Sequence, residues 1–338
     1  MDTRVKVLEE RIPRLMAELN VPGLSIALIE DGRIAWTQGF GLKSVTSGEP
    51  VEVNTVFEAA SLSKPVFAYA ALKLCETGAI ELDTPLTTYY PLEVMAHRLD
   101  LSQPDLPKVT MRHVLAHTSG FGNWDDDQNM GKVRFTPGDH WYYSGEGYMY
   151  LQRIIEYITG QPLGSYMQEH VLSPLGMADS SYTWQDRYET QMASGHGTGR
   201  SPEVGKRWTE GFAAFSLMTT PSDFAQLVLD VFNEDEGDEF RLNRHSLAEM
   251  FRPQVRINDH LSWGLGWGLL KSGDDQWFWH WGDIVDYTCF VIASRRKRDG
   301  IVIMTNSENG LKACEQVVSH ALGNDYAIPI QTILREGW

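Results

Sequence analysis

The segment FEAASLSKPVFAYAALKLCETG, residues 57–78, contains a serine and a lysine at a spacing that suits nucleophilic chemistry. Residues three apart share one face of a helix, so Ser61 and Lys64 are predicted to place a hydroxyl beside an amine. A desolvated lysine can lose its proton and act as the general base for such a serine. The alternative is that Ser61 only caps the helix, its oxygen accepting a hydrogen bond from a free backbone N–H.

A helix over residues 61–77 is predicted to hold this pair. Pro65 falls in the first turn, where a backbone N–H has no partner within the helix, and Gly78 closes the helix. A second match to the same spacing, Ser294 with Lys297, lies in the basic turn SRRKRDG and is interpreted as a solvated hairpin. The spacing alone therefore does not decide between a nucleophile and a cap.

The remaining pattern places strands at both ends of the chain and helices between them. A helix with a kink at Pro13 is predicted over residues 4–19, followed by two β-rich runs joined by Asp31-Gly32, a strong hairpin signal. Strand-like runs return after residue 258, and a helix follows over 311–322. Further helices are predicted over residues 110–118, 146–159, 162–172 and 221–232. The late strand-like runs are SWGLGWGLL, QWFWHWG, YTCFVIAS and IVIMTN.

This order predicts an α+β fold that works as a single functional unit. Residues 1–60 and 256–338 are expected to form an antiparallel sheet from both ends of the chain, flanked by the terminal helices. Residues 61–255 are expected to form an inserted, mostly helical subdomain. The run EDEGDE at 234–239 is interpreted as a solvated acidic loop.

The charge and cysteine content of the chain exclude several classes of binding partner and cofactor. The chain has 338 residues and a formal net charge of −16, which argues against nucleic acid and anionic membranes because both need clustered basic residues. The three cysteines form neither a disulfide framework nor a zinc motif. No apolar run is long enough to span a bilayer. We expect a cytosolic protein without cofactor or metal, and a signal peptide that has been removed stays open as an alternative.

Several short motifs occur in an order that is specific as a set. They are FEAASLSKPVFAYAALKL, VTMRHVLAHTSGF, PGDHWYYSGEGYMYLQRIIEYITG, VLSPLGM, HWGD and VIMTNS. Together they resemble the serine β-lactamase superfamily, in particular class C β-lactamases, the related D,D-peptidases and D-aminopeptidases, and family VIII esterases. The resemblance runs from about residue 20 to 322. It implies the penicillin-binding-protein-like fold, with an α/β domain from both termini and an inserted helical domain.

The resemblance also implies roles for individual residues. Ser61 would be the acylated nucleophile and Lys64 its general base. Tyr143 would relay protons to and from the leaving group, with an ammonium at Lys64 available to stabilise its anion. His280, Trp281 and Gly282 match the third motif, and the backbone N–H groups of Ser61 and Asp283 would form the oxyanion hole.

Plainer interpretations stand beside these roles. Tyr143 could be one more packed aromatic residue, and His280 a core histidine. The segment from His117 to Gly120, a signature of the family's helical domain, is interpreted as a structural helix end.

Two departures from the family pattern bear on the substrate. Gly145 stands where β-lactamases and peptidases have an asparagine that contacts the substrate amide. The lack of that asparagine should lower activity on amides and lactams more than activity on esters. Asp283 and Asp286 stand near the third motif, where a carboxylate would repel an anionic substrate. The alternative is that both acids are turn residues facing solvent. Gly145, Trp281, Gly282 and Asp286 are the predicted substrate-binding positions.

Tryptophan is abundant near the predicted site strands, with 11 in the chain. Five of them could form an apolar acyl pocket, or could simply pack the sheet. These five are Trp263, Trp267, Trp277, Trp279 and Trp281.

The prediction is a serine hydrolase, most consistent with an esterase acting on small neutral or cationic acyl substrates. A D-aminopeptidase-like or D,D-peptidase-like amidase, a weak β-lactamase, an acyl transferase and a non-turnover penicillin sensor remain alternatives. A metallohydrolase is a further alternative because His113 and His117 are four apart and Asp125 to Asp127 follow. The glutamate of the metalloprotease motif is missing between the two histidines.

Overall fold

A computed structural model describes residues 3–90, 103–124, 131–199, 201–233 and 240–338. The helices are α1 (Thr3–Leu19), α2 (Ser63–Glu76), α3 (Met111–Leu115), α4 (Gly145–Thr159), α5 (Leu163–Met167), α6 (Tyr188–Gln191), α7 (Pro221–Phe232), α8 (Arg244–Met250), α9 (Gly310–Ala321) and α10 (Ile328–Glu336). The strands are β1 (Gly23–Glu30), β2 (Arg33–Gly41), β3 (Phe57–Ala60), β4 (Ser194–Gly195), β5 (Glu203–Val204), β6 (Leu217–Thr219), β7 (Val255–Arg256), β8 (Leu261–Trp263), β9 (Gly268–Ser272), β10 (Asp275–Ile284), β11 (Tyr287–Ser294) and β12 (Asp299–Thr305). Among these residues no helix is long and apolar enough to cross a membrane.

Strands from both ends of the chain form the main sheet, as predicted. Its eight strands follow the order β2-β1-β12-β11-β10-β9-β8-β7, and each neighbouring pair is antiparallel. The first hairpin turns at Asp31 and Gly32, which have φ values of 52° and 73°. Both residues therefore adopt the left-handed conformation that a tight hairpin with the right twist requires. The predicted α+β fold with an antiparallel sheet is confirmed.

Helices cover both faces of this sheet, and its strands β1, β10, β11 and β12 are largely buried, whereas no residue of the edge strand β2 is buried. Successive strand residues point to opposite faces. Leu24 and Ile26 of β1 pack with α1 and α9, whereas Ala27 and Ile29 belong to the core on the side of α2 and α7. The terminal helices therefore cover one face, and helices of the middle segment cover the other.

Helix α2 lies at the centre of the middle segment. Nearly all its side chains are buried, from Ser63 to Leu72 without a break. A helix that is buried on all sides belongs in a protein core rather than at its surface. The short strands β3 and β6 pair beside it as a separate two-stranded sheet. The predicted boundaries at residues 60/61 and 255/256 stay a prediction.

Three local predictions differ from the structure. Helix α2 begins at Ser63, so Ser61 lies in the preceding turn and not on the helix. The run SWGLGWGLL is not one strand, because a turn separates β8 from β9. The basic turn after β11 is largely exposed, but Ser294 is buried and donates its hydroxyl to Asp275 at 2.8 Å. The Ser294 oxygen also accepts the Lys297 backbone N–H at 3.1 Å, so this serine holds the turn through Asp275 and the backbone of Lys297.

The main sheet meets the middle segment where β10 passes β3. A Cβ at Gly282 would lie 2.2 Å from the carbonyl oxygen of Ala59, closer than real atoms approach. Glycine at this position therefore lets the two backbones come into contact. Since Ala59 comes shortly before Ser61, this contact sets the distance between β10 and the serine.

We expect the substitution Gly282→Ala to destabilise the protein by about 2 kcal/mol, because the added methyl group must push β10 and β3 apart. Thermal unfolding measures this effect, and activity measured on the folded fraction should fall with it. Gln276→Ala, at an exposed position of the same strand, is the matched control. An unchanged melting temperature for Gly282→Ala would contradict the close approach described here.

Candidate active site

The turn between β3 and α2 positions Ser61. Ala60 has φ 48°, a left-handed conformation that costs a non-glycine residue about 1–3 kcal/mol. The turn is held by Ser63, whose hydroxyl donates to the Ala60 carbonyl at 2.6 Å and accepts the Leu217 N–H at 2.9 Å. Leu62 occupies the position that caps α2, without a side-chain hydrogen bond. The interpretation of Ser61 as the helix cap is therefore wrong.

Lys64 lies against Ser61 in the first turn of α2. Its side chain is fully buried, and its Nζ and the Ser61 Oγ form a hydrogen bond of 2.9 Å. The Nζ also donates to the carbonyl oxygen of Ala214 at 2.9 Å. Burial lowers the pKa of Lys64 well below its ordinary value. A neutral amine at this distance can accept the serine proton, which is the chemistry that a nucleophilic serine needs.

Tyr143 is the third member of this group. Lys64 Nζ lies 4.8 Å from the centre of the tyrosine ring. The Tyr143 hydroxyl is buried with no hydrogen-bond partner among the described residues. Burial raises its pKa well above the ordinary value, although the nearby Ser61 side chain opposes part of that rise. Burial thus shifts the pKa values of the lysine and the tyrosine towards their neutral forms, and the expected ammonium–phenolate pair stays a prediction.

The N-terminus of α4 holds Tyr143 in place. Ser144 caps this helix, accepting the Gly147 N–H at 2.9 Å and donating to the Gly122 carbonyl at 2.7 Å. The Ser144 N–H donates to Nδ1 of His117 at 3.0 Å, and the His117 ring lies 4.3 Å from that of Tyr143. Burial lowers the pKa of His117, so the ring stays neutral. The interpretation of His117 as only a helix end missed this support for Tyr143.

His280 reaches the same group from β10. It is fully buried, and its Nδ1 donates to the Trp281 carbonyl oxygen at 2.7 Å. This tautomer leaves Nε2 as an acceptor, which has no partner among the described residues. Burial, together with the nearby Lys64, lowers the pKa of His280 to about 3. With its ring 6.3 Å from that of Tyr143, His280 sits behind the tyrosine rather than at an open surface.

The end of β10 forms the side of the site near Ser61. β9 pairs with β10 only as far as Trp279, so the edge from His280 to Ile284 has no strand partner on that side among the described residues. This edge lies against β3 through Gly282. Trp281 is buried against the Tyr143 ring, with 4.6 Å between ring centres. The oxyanion hole of Ser61 and Asp283 backbone N–H groups stays a prediction.

The two aspartates of this region lie in different surroundings. Asp283 is an exposed residue of β10, yet partial burial of its carboxyl group raises its pKa. Asp286 follows in the turn to β11 and lies beside β4, because a Cβ at Gly195 would come within 2.6 Å of the Asp286 Cβ. Burial, with a smaller contribution from Asp286, raises the pKa of Glu58 to about 7. The two aspartates thus lie at the end of β10 and in the turn that follows it.

The five tryptophans named from the sequence do not line an open pocket. At most 3% of each side chain is exposed, so they are core residues of the sheet and its neighbours. These residues are Trp263, Trp267, Trp277, Trp279 and Trp281. The exposed aromatic surface near the site is formed instead by Trp124 and Phe215, whose ring centres are 5.3 Å apart. Sequence patterns missed it because the two rings come from distant loops.

The predicted histidine pair does not share a helix face. α3 ends at Leu115, and His117 follows with φ 56°, so the helical spacing to His113 is lost. Thr110 caps α3, and the His113 ring completes the capping box, its Nδ1 accepting the Thr110 N–H at 3.2 Å. Residues 125–127, the acidic part of that hypothesis, lie outside the described residues. Within the described ranges, no cluster of three or more His, Cys, Asp or Glu side chains could hold a metal ion.

Comparison with known proteins places this geometry in a family. A family model described as Beta-lactamase matches residues 8–319. Esterase EstB of Burkholderia gladioli is 30% identical over 195 residues, which cover 49% of this chain and 48% of the esterase. A penicillin-binding protein of Bacillus subtilis (strain 168) is 25% identical over 350 residues, covering 90% of this chain and 73% of the relative.

A solved structure shows the same fold over the whole chain. The octameric penicillin-binding protein homologue from Pyrococcus abyssi superposes with a TM-score of 0.79 at 24% identity. The match covers 100% of this chain and 78% of that one. This chain thus spans about half the length of the esterase and most of the length of the two penicillin-binding proteins.

We expect Lys64→Met to raise the free energy of unfolding while abolishing the activity that depends on Ser61. Lys64 has a lower pKa in the folded than in the unfolded protein, where it is about 10.4, so the unfolded state binds its proton more tightly. The cost of burying the amine therefore grows as the pH falls from about 10, by at most about 1.4 kcal/mol per pH unit. Urea unfolding of the wild type and of Lys64→Met at pH 9, 8 and 7 measures how the difference in their free energies of unfolding changes with pH.

The control for this prediction is Lys312→Met, the same replacement at an exposed position of α9. Its stability relative to the wild type should not vary with pH. A Lys64→Met variant whose stability difference from the wild type stays constant over this pH range would show that the lysine is not buried as a neutral amine.

Proposed function

The chain belongs to the beta-lactamase family, and on that premise we propose that it is a serine hydrolase that cleaves small neutral or cationic esters through an acyl-enzyme on Ser61. The observation that carries this proposal is the hydrogen bond of 2.9 Å between Ser61 Oγ and the buried Lys64 Nζ. Burial keeps the amine neutral and so able to take the serine proton. The similarity to an esterase supports the same reaction class.

Acylation begins at Ser61. Its Oγ attacks the ester carbonyl carbon while the Oγ proton moves to Lys64 Nζ. The negative charge that develops on the carbonyl oxygen is stabilised by the backbone N–H groups of Ser61 and Asp283, and one such donor contributes roughly a hundredfold or more in rate. The tetrahedral intermediate then loses the alcohol, which takes a proton relayed from Lys64 through the Tyr143 hydroxyl.

Deacylation reverses these roles with water as the nucleophile. Water attacks the acyl carbon, and its proton passes through Tyr143 to the neutral Lys64. The bond to Ser61 Oγ breaks, the acid leaves, and the serine regains its proton. His280 and His117 position Tyr143 from behind and remain neutral because burial lowers their pKa values. An alcohol or amine in place of water would make the same residues an acyl transferase.

Two features favour neutral or cationic esters over lactams and anionic amides. At Gly145 no side-chain amide is available to satisfy a substrate amide, and an ester has no N–H that needs one. The carboxylates of Asp283 and Asp286 disfavour a substrate carboxylate through Coulomb repulsion. The same negative charge favours amine-bearing D-amino acid derivatives, which makes a D-aminopeptidase-like activity the second candidate.

We expect Ser61→Ala to lower kcat for short p-nitrophenyl esters by at least a thousandfold, because it removes the attacking oxygen. A panel of p-nitrophenyl acetate, D-alanine p-nitroanilide and nitrocefin on the wild type and this variant separates the candidates. Turnover of nitrocefin comparable to that of the esters would refute the ester preference. A stable acyl adduct in intact-mass spectra, without product release, would identify a sensor instead of an enzyme.

We expect Asp283→Asn to raise kcat/KM about two- to fivefold for an anionic ester such as p-nitrophenyl hemisuccinate, relative to p-nitrophenyl acetate. The expected change in kcat/KM corresponds to the loss of one partly exposed charge interaction, which contributes less than about 1 kcal/mol. The effect should shrink in 1 M salt, where screening reaches within a few ångströms. Glu336→Gln, in the last turn of α10, serves as a control for a lost surface charge. No change in this ratio would remove Asp283 from the substrate-recognition hypothesis.

A further inference from the structure

Trp124 fills the volume into which a side chain at residue 145 would extend. A Cβ at Gly145 would lie 2.4 Å from Cζ2 and 2.6 Å from Cε2 of the Trp124 indole. The glycine is therefore required by the tryptophan. The two positions share one space at the start of α4, and in this chain an indole takes it.

The backbone around Trp124 is held in a costly conformation. Trp124 has φ 59°, the left-handed region that a bulky residue adopts only when its surroundings impose it. The preceding Asn123 accepts the Gly145 N–H at 3.0 Å, and Gly122 accepts the Ser144 hydroxyl at 2.7 Å. Two hydrogen bonds thus tie this loop to the start of α4. These bonds hold the loop, and with it the indole, against the start of α4.

Although it is fixed, Trp124 remains 51% exposed. Its ring contacts Phe215, which in turn stacks on Phe212 with 5.0 Å between ring centres. The centre of the Trp208 ring lies 5.1 Å from that of Phe215. We call these four residues, Trp124, Trp208, Phe212 and Phe215, the aromatic wall.

The aromatic wall is joined to the reacting groups at two points. Phe215 follows Ala214, whose carbonyl oxygen accepts the hydrogen bond from Lys64 Nζ. Trp124 lies over Gly145, two residues after Tyr143. The backbone at Ala214 and at Gly145 thus links the aromatic wall to Lys64 and Tyr143, and we expect an ester with its carbonyl carbon at Ser61 Oγ to reach this surface. Exposed ring faces bind flat apolar groups through burial and offset stacking.

We propose that Trp124, seated in the space beside Gly145, is a specificity-determining residue that selects esters carrying a flat aromatic group next to the scissile bond. This proposal rests on the proposed esterase function and names its substrate class. The aromatic group can belong to the acyl part or to the alcohol part of the ester. The shared requirement is an uncharged ring within reach of the indole.

The experiment compares kcat/KM ratios, which do not depend on the folded fraction of a variant. In the acyl series, p-nitrophenyl phenylacetate is compared with p-nitrophenyl acetate; in the alcohol series, benzyl acetate is compared with ethyl acetate. We expect the wild type to prefer the aromatic ester in at least one series. Trp124→Ala should lower that preference about tenfold, and Trp124→Phe should restore part of it. Tyr157→Ala, which removes an aromatic ring that is 55% exposed elsewhere on α4, is the matched control.

A double-mutant cycle tests the shared volume. Gly145→Ala alone should lower the aromatic preference as Trp124→Ala does, because the new methyl group displaces the indole. In the Trp124→Ala background the same substitution should have little further effect, since the obstructing ring has gone. Additive effects would overturn the shared-volume argument.

The outcomes separate this proposal from the function on which it rests. If ester hydrolysis is unaffected by Ser61→Ala, the proposed function fails. If hydrolysis depends on Ser61 but Trp124→Ala leaves both preference ratios at their wild-type values, the esterase stands and the role of Trp124 is overturned.

Discussion

The burial of one amine, that of Lys64, is the constraint on which the site depends. A lysine without contact to water costs stability unless it loses its proton, and losing the proton makes it the base that Ser61 requires. Its two hydrogen bonds, to Ser61 Oγ and to the Ala214 carbonyl, keep the amine oriented without supplying a negative charge that would hold the proton. Stability is thus given up at the position where reactivity is needed.

The side chains around this amine are neutral for the same reason. Tyr143, His117 and His280 are also buried, and burial keeps each of them neutral. Protonating either histidine near Lys64 would add a charge to a region with no counter-ion among the described residues. In the proposed reaction these partners would relay protons, and the left-handed Ala60 and the backbone contact at Gly282 hold the β3–α2 turn against β10.

Substrate choice depends on the rim of the site rather than on its centre. The Ser61–Lys64 pair is suited to any acyl group, so discrimination must come from residues that touch the remainder of the substrate. In the proposed function, Asp283 and Asp286 would disfavour anionic substrates, and Trp124, which occupies the space beside Gly145, would favour an aromatic group. The expected substrates are therefore uncharged or cationic aromatic esters.

Local patterns predicted most of the strands and helices and the proximity of Ser61 to Lys64. Asp31-Gly32, the β-rich runs and the three-residue spacing of Ser61 and Lys64 are such patterns, although Ser61 lies in the turn before α2 and not on the helix. The order of the motifs predicted the family and, with it, Tyr143 and His280. These expectations concern residues that are close in the chain or that belong to a recognisable motif.

The support of those residues comes from contacts between parts of the chain that are far apart in sequence. Ala214 lies 150 positions from Lys64, and His117 lies 27 from Ser144, so neither contact follows from spacing. The same distance in sequence hid Trp124 and Phe215, while the five tryptophans of the sheet proved to be core residues because strands covered on both faces bury even large side chains. The exposure of a side chain is a property of the assembled chain. Full burial lowers the proton affinity of Lys64, whereas Trp124 remains half exposed.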